Sequence, residues 1–194
     1  MSSEAMKRKT PIDSWMDTLR PSSLVRRFAS QIVDAAASTP VLDVACGSGR
    51  NAIVLSQLGC TVICVDKDLT KLKIEQLRLR DTLLRKASEQ LSILQLDLIK
   101  DAWPFGARSV GGIVNVHFLL PALFPFFEAS LSTGGYLLLE TVPGCGGNHL
   151  QLPKAGALRS AFEKAFDLEF YKECKVGPPN YDAVTVKLLG KRRE

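Results

Sequence analysis

Apolar positions along this chain follow two rhythms that alternate. Short, mostly apolar runs rich in β-branched residues read as strands, and between them apolar residues recur at the three- and four-residue spacing of a helix with one face on a core. The first helical stretch, SSLVRRFASQIVDAAAS after Pro21, puts Leu24, Val25, Phe28, Ile32 and Val33 on one face. Serines stand at its start to cap it, and Pro40 ends it. VLDVA (41–45) is a buried strand that runs through a glycine turn into the helix RNAIVLSQLG, closed by Gly59. TVICVD (61–66) is the second strand, and Asp68 can cap a long helix from Leu69 to about Ala87 with Leu72, Leu79 and Leu83 inward. LSILQLD (91–97) and VGGIVNVHF (110–118) are the third and fourth strands. FLLPALFPFFEASLS predicts an apolar helical link interrupted by two prolines, and GGYLLLETV (134–142) a fifth strand entered through a glycine pair. PKAGALRSAFEKAF is a further helix with Pro near its start. LEFYKECKV and DAVTVKLLG, joined by GPPNY, read as a closing antiparallel hairpin.

Repeated strand–helix units predict an α/β fold, a three-layer Rossmann-like sandwich with a mainly parallel sheet covered by helices on both faces. In such a sheet, ligands collect beyond the carboxyl ends of the strands, near the point where strand order reverses. The positions to examine are therefore Ala45–Arg50, Asp66–Asp68, Asp97–Leu98, Asn115–Phe118 and Thr141–His149.

Composition narrows the picture. The 194 residues suit one domain, spanning 21–194, with residues 1–20 expected as a mobile leader. An apolar fraction of 46% and a charged fraction of 23% are those of an ordinary globular protein. No apolar run approaches the ~20 residues of a membrane span, and the N-terminus lacks the apolar segment of a secretory signal. Five cysteines (Cys46, Cys60, Cys64, Cys145, Cys174) form no C-x-x-C pair, which argues against a disulfide framework or zinc site and points to a cytoplasmic protein. The net charge of +5 is concentrated in residues 1–30, 67–89 and the last eight. Such blocks can meet nucleic acid, but the segment 67–89 has no aromatic on which a base would stack, so solvated helix faces are the preferred reading.

The candidate chemistry begins in VLDVACGSGRNA. A Gly-x-Gly-x-x-Ala turn after a first strand suits a dinucleotide pyrophosphate, and equally a ligand with a carboxylate and a ribose. Three acids weigh against the first. Asp43 lies inside the strand, where it can serve an ammonium group directly or through water. Asp66 ends the second strand, where it can accept from two ribose hydroxyls. Asp97 ends the third, where its side chain and a neighbouring N–H can read an adenine edge. A nicotinamide dehydrogenase would also need a substrate domain that this length does not provide.

In that order and spacing, VLDVACGSGRNAIVLSQLGCTVICVDKD, the LDL–WPF segment and LSTGGYLLLET resemble the class I S-adenosylmethionine-dependent methyltransferases, nearest the small tellurite-resistance (TehB-like) group. The resemblance implies a seven-stranded sheet of order 3-2-1-4-5-7-6 with the last strand antiparallel. It implies S-adenosyl-L-methionine as cofactor, with Asp43, Ala45, Gly47 and Gly49 along the methionine moiety, Asp66 on the ribose, and Asp97 with Leu98 on the adenine. Cys46 in the loop, Arg50 at the helix start, Lys67 and Asn115 complete the candidate cofactor set. Cys46 also reads as a small buried filler, and Arg50 either pairs with the cofactor carboxylate or faces solvent.

The expected reaction is direct in-line methyl transfer to a small-molecule acceptor, which needs alignment and exclusion of water rather than a metal or a covalent nucleophile. The chain's two histidines are the candidate catalytic residues, His117 at the end of the fourth strand beside the acceptor side and His149 in the loop after the fifth; the alternative for each is a purely structural hydrogen bond. Cys145 has no adjacent base and reads as incidental. The resemblance implies that the segment with Trp15, Met16 and Arg20 folds over the cofactor and contributes to the acceptor pocket; the alternative is ordinary packing against the sheet. The hairpin turn GPPNY stands where the named group carries a His/Arg-bearing stretch, which leaves the acceptor unassigned. The alternative is a non-catalytic cofactor-binding or RNA-associated protein of the same fold; the oligomeric expectation is a monomer or homodimer.

Overall fold

The structure, a computed structural model, describes residues 19–73, 75, 85–141 and 152–194. Its strands are β1 Val41–Val44, β2 Val62–Asp66, β3 Leu91–Gln95, β4 Val110–Val116, β5 Leu131–Glu140, β6 Phe166–Val176 and β7 Ala183–Arg192. They form one sheet of order β3-β2-β1-β4-β5-β7-β6. Pairings from β3 through β5 are parallel. β7 runs antiparallel to both β5 and β6. The expected sheet order and the terminal hairpin are both present.

Period-two alternation divides the sheet's side chains between two cores. On one face, Val41, Cys64, Val114, Val116 and Leu138 pack with α1 (Ser23–Ala36), α2 (Arg50–Gln57) and Ala87 of α3 (Arg85–Glu89). On the other, Leu42, Val44, Ile113, Leu137 and Leu139 pack with α4 (Phe124–Ser130) and α5 (Ala157–Phe162). Both faces of the central strands are thus covered, which is why VLDV and VGGIVNV are buried at every position and read as continuous apolar runs.

Local chemistry explains the helix starts. The Ser22 hydroxyl accepts from the N–H groups of Leu24 and Val25 at the head of α1. Asp68 Oδ1 accepts from Thr70 N, and residues 70–73 and 75 are helical with Leu72 fully buried. Leu79 and Leu83 lie outside the described residues. In the link after β4 the two prolines do not interrupt a helix. Pro121 opens a 3₁₀ turn (Pro121–Leu123) and Pro125 sits in the first turn of α4, where a missing N–H removes no helical bond. β5 starts earlier than its glycine pair because Leu131 already pairs with Val110 and is 1% exposed, so residues 132–135 form an irregularity inside the strand. The third strand stops at Gln95, and Asp97 opens a turn instead.

Among the described residues no helix is long and apolar enough to cross a membrane. Nor is there, among the described residues, a group of three or more His, Cys, Asp or Glu side chains that could hold a metal ion.

Candidate functional site

Strand order reverses between β1 and β4, and the carboxyl edge beside that reversal carries the site. Next to it, across the ends of β1, β2 and β3, a cavity of about 270 Å³ is lined by Ala45, Asp66, Lys67, Leu96, Asp97, Leu98, Ile99 and Phe118. Five of the expected cofactor residues therefore meet in one place: Ala45, Asp66, Lys67, Asp97 and Leu98. Asp66 is aimed by two backbone donors, Gly47 N to Oδ2 at 2.8 Å and Asp68 N to Oδ1 at 3.0 Å. A carboxylate has about four lone-pair sites, so two remain for hydroxyl donors. Asp97 caps its own turn, accepting from Ile99 N at 3.0 Å, and lines the cavity as well. Leu98 N–H has no hydrogen-bond acceptor among the described residues, and the Leu96, Leu98 and Phe118 side chains supply apolar walls. Carboxylates at the ends, a free amide and apolar walls between them fit a nucleoside.

The two loop glycines do different work. Gly47 has φ +57°, and a Cβ there would meet nothing within 4 Å, so the space over it is open. Gly49 has φ +76°, and a Cβ there would stand 2.4 Å from Leu72 Cδ1, so this glycine serves helix packing. Ala45 takes a left-handed φ of +56° in order to turn the chain out of β1 beside the cavity.

Other members of the expected set lie behind the cavity. Asp43 is 1% exposed and its Oδ2 accepts from Ala52 N at 3.1 Å, in the first turn of α2. Gly49, the residue before that helix, has no side chain to cap it, so Asp43 performs the capping from the neighbouring strand. Burial raises its carboxyl to about 7, partly opposed by the Ala52 N–H and by Arg50. Cys46 is 6% exposed and packs in the core with Cys64, in keeping with the filler reading; only its backbone belongs to the loop. Its side-chain hydrogen bond and burial push the Cys64 thiol upward, so Cys64 stays an unreactive thiol. Asn115 is 1% exposed, shares the face of Ile113 rather than that of Asp43, and does not line the cavity. Its Oδ1 has no partner among the described residues.

On the far side of the reversal a second constellation forms. Glu140, ending β5, is 5% exposed; it accepts from the Ser22 hydroxyl and pairs with Lys187 Nζ at 2.9 Å. Lys187 also donates to Ser23 Oγ at 3.0 Å, and Ser22 N donates to Asn51 Oδ1 at 2.9 Å. His117 follows β4 with φ +68°, and its N–H donates to Glu140 O at 2.8 Å. Arg50, expected at the cofactor carboxylate or facing solvent, has two partners within the fold. It donates to Arg20 O at 3.3 Å and meets His117 Nδ1 at 3.2 Å. Burial, then Arg50, lower the His117 pKa against the opposing pull of Glu140. His149, Cys145, Trp15 and Met16 lie outside the described residues.

Glu140 and Ser22 were not singled out from the sequence. Glu140 could have been, because it is an acid at the carboxyl end of an apolar strand, the same signal that Asp66 and Asp97 give. Ser22 reads only as a helix cap until the sheet brings Glu140 to it.

Comparison with known proteins supplies the context. Residues 23–139 match the family described as Tellurite resistance protein TehB. The fold is similar to the 1,6-didemethyltoxoflavin-N1-methyltransferase of Burkholderia thailandensis (TM-score 0.58, 17% identity, 93% of this chain and 83% of that one). It is similar to TehB from Haemophilus influenzae (TM-score 0.57, 20% identity, 84% of this chain), of which it spans 62%. The [4+2]-cyclase SpnF also shares it (TM-score 0.63, 14% identity, 86% of this chain and 80% of that one). Comparison with curated protein sequences found no match. With the family matched over more than half its length and the sheet in the order that family implies, the chain belongs to the TehB family and has the class I methyltransferase fold.

Proposed function

We propose that this chain is an S-adenosylmethionine-dependent methyltransferase that acts on a small-molecule acceptor by direct in-line transfer. The observation that carries this reading is the cavity at the ends of β1, β2 and β3, where Ala45, Asp66, Lys67, Asp97 and Leu98 converge. Asp66, already oriented by Gly47 and Asp68, accepts from the ribose hydroxyls. Asp97 and the Leu98 N–H take the adenine edge. The open space above Gly47 admits the methionine moiety, and Asp43, ionised above about pH 7, then supplies negative charge behind the loop for its ammonium group. S-adenosylmethionine, when bound, supplies an electrophilic methyl group on a sulfonium, so the chain has only to align the acceptor and keep water out. His117, at the end of β4 and one residue from the cavity wall, meets the acceptor there.

Because this fold also carries a cyclase, cofactor binding and methyl transfer need separate tests. Calorimetry should show S-adenosylhomocysteine binding and NAD not binding. Binding of NAD alone would overturn the cofactor assignment. Turnover of S-adenosylmethionine on a panel of small acceptors tests the transfer, and binding without turnover on any of them would favour the non-catalytic alternative.

A further inference from the structure

His117 is held in an unusual way for a base. Its left-handed backbone turns it out of β4, and the N–H to Glu140 O bond fixes that turn. Its ring Nδ1 lies 3.2 Å from Arg50 Nη2, while Arg50 Nη1 is engaged by Arg20 O. A guanidinium only donates hydrogen bonds and keeps its charge at any working pH. Nδ1 must therefore present its lone pair to Arg50, which leaves the ring's single proton on Nε2. Nε2 has no partner among the described residues, and His117 is exposed beside Phe118 of the cavity wall.

We infer that Arg50 is a positioning residue that fixes His117 as the neutral Nε2–H tautomer, so that His117 offers the acceptor a hydrogen-bond donor and not a base. The charged groups around the ring agree with this. Arg50 from α2 and Lys187 from β7 disfavour an imidazolium, while Glu140 from β5 favours one but is already committed to Ser22 and Lys187. For the acceptor the consequence rests on the methyltransferase reading. A donor without a base suits an acceptor whose nucleophilic atom needs no deprotonation, such as a thiolate, a carboxylate or another oxyanion. The acceptor's lone pair forms the new bond to the methyl carbon, and the electron pair of the carbon–sulfur bond stays on sulfur. No proton moves, and the imidazole ends as it began.

The tautomer can be read without any ligand. The chain has two histidines, so ¹⁵N-histidine labelling of the full-length protein, with His149→Gln for assignment, isolates the His117 ring in a two-bond ¹H–¹⁵N spectrum. The expected spectrum at pH 7.5 is that of a neutral Nε2–H ring that titrates below the ordinary histidine range. Arg50→Met should raise that midpoint by roughly 0.5 pH unit or more and mix the tautomers. An Nδ1–H ring in the unmodified protein, or an unchanged midpoint in Arg50→Met, overturns the proposal. The unmodified spectrum decides it even if Arg50→Met does not fold. On an active acceptor, His117→Gln, which keeps an N–H donor but has no basic ring, should retain at least tenfold more kcat/KM than His117→Ala. Equal loss in the two variants overturns the donor role. Failure to bind S-adenosylhomocysteine would overturn the function proposed above while leaving the tautomer result standing.

Discussion

The two halves of the sheet's carboxyl edge are built by different means. On the β1–β3 side the defining bonds join neighbours in sequence: Asp43 to Ala52 across nine residues, Gly47 to Asp66 across nineteen. Backbone amides do most of the aiming there, so one strand–loop–helix–strand unit almost completes the site. On the β4–β5–β7 side the bonds run between distant side chains: Ser22 meets Glu140 across 118 residues and Lys187 meets Ser23 across 164. That constellation exists only once the sheet has assembled. The first side is the proposed ligand cradle, whereas the second ties α1 to the far strands. Substitutions should therefore separate binding from stability.

The largest expected effect probes the one cradle acid that stability should feel. Asp43 has a folded-state value of about 7, above the ordinary 3.8, because burial disfavours its charge. Between these values the folded chain holds a proton that the unfolded chain has released. Stability should therefore fall as pH rises from about 4 to about 7, then level off. At about 1.4 kcal/mol per pH unit the total is on the order of 4 kcal/mol. Asp43→Asn keeps an acceptor for Ala52 N–H and cannot ionise. In urea denaturation it should match the parent near pH 4 and exceed it by on the order of 3–4 kcal/mol at pH 8. Parallel curves across that range would mean that Asp43 is ionised throughout and that the helix cap, not burial, sets its charge.

A paired measurement then tests the division itself. Glu140→Ala strands the Ser22 hydroxyl and leaves Lys187 without its carboxylate, and should lower stability by about 2–3 kcal/mol while changing S-adenosylhomocysteine affinity less than about threefold. Asp66→Ala should do the reverse. Loss of its hydroxyl-accepting oxygens weakens binding by about 1–3 kcal/mol, with a stability change below about 1 kcal/mol. If Glu140→Ala weakens binding as much as Asp66→Ala does, the two sides act as one unit.

The same contrast explains what could be read from the sequence. Periodicity and turn chemistry gave the strands and the strand-end acids Asp66 and Asp97, while the family resemblance gave the sheet order and added Ala45 and Leu98; with Lys67, these residues line one cavity. These are local features, each a residue type at a strand end. Arg50 was legible only as a charge at a helix start, because its partners, Arg20 and His117, are thirty and sixty-seven positions away. Asn115 and Cys46 lie at the right places along the chain but turn into the interior, and a one-residue alternation decides which way each faces. Pro125 shows the same limit in reverse: it marks a helix start, yet along an apolar run it looks like a break.

The smallest effect sharpens the comparison within a single loop. Gly47 and Gly49 both have left-handed backbones, yet they face different surroundings. Gly49→Ala forces a methyl group to within 2.4 Å of the buried Leu72 side chain, in addition to the backbone strain, and should lower stability by about 2 kcal/mol. Gly47→Ala meets no protein atom within 4 Å and carries only the strain, about 1 kcal/mol. Its methyl group nonetheless stands in the open space where the methionine moiety is proposed to lie. Calorimetry with S-adenosylhomocysteine on both variants should therefore rank them opposite to their thermal stabilities, with Gly47→Ala the weaker binder. If both variants lose affinity only in proportion to their loss of stability, the space above Gly47 is not part of the cradle, and the ligand would have to be confined to the walls formed by Asp66, Asp97 and Phe118.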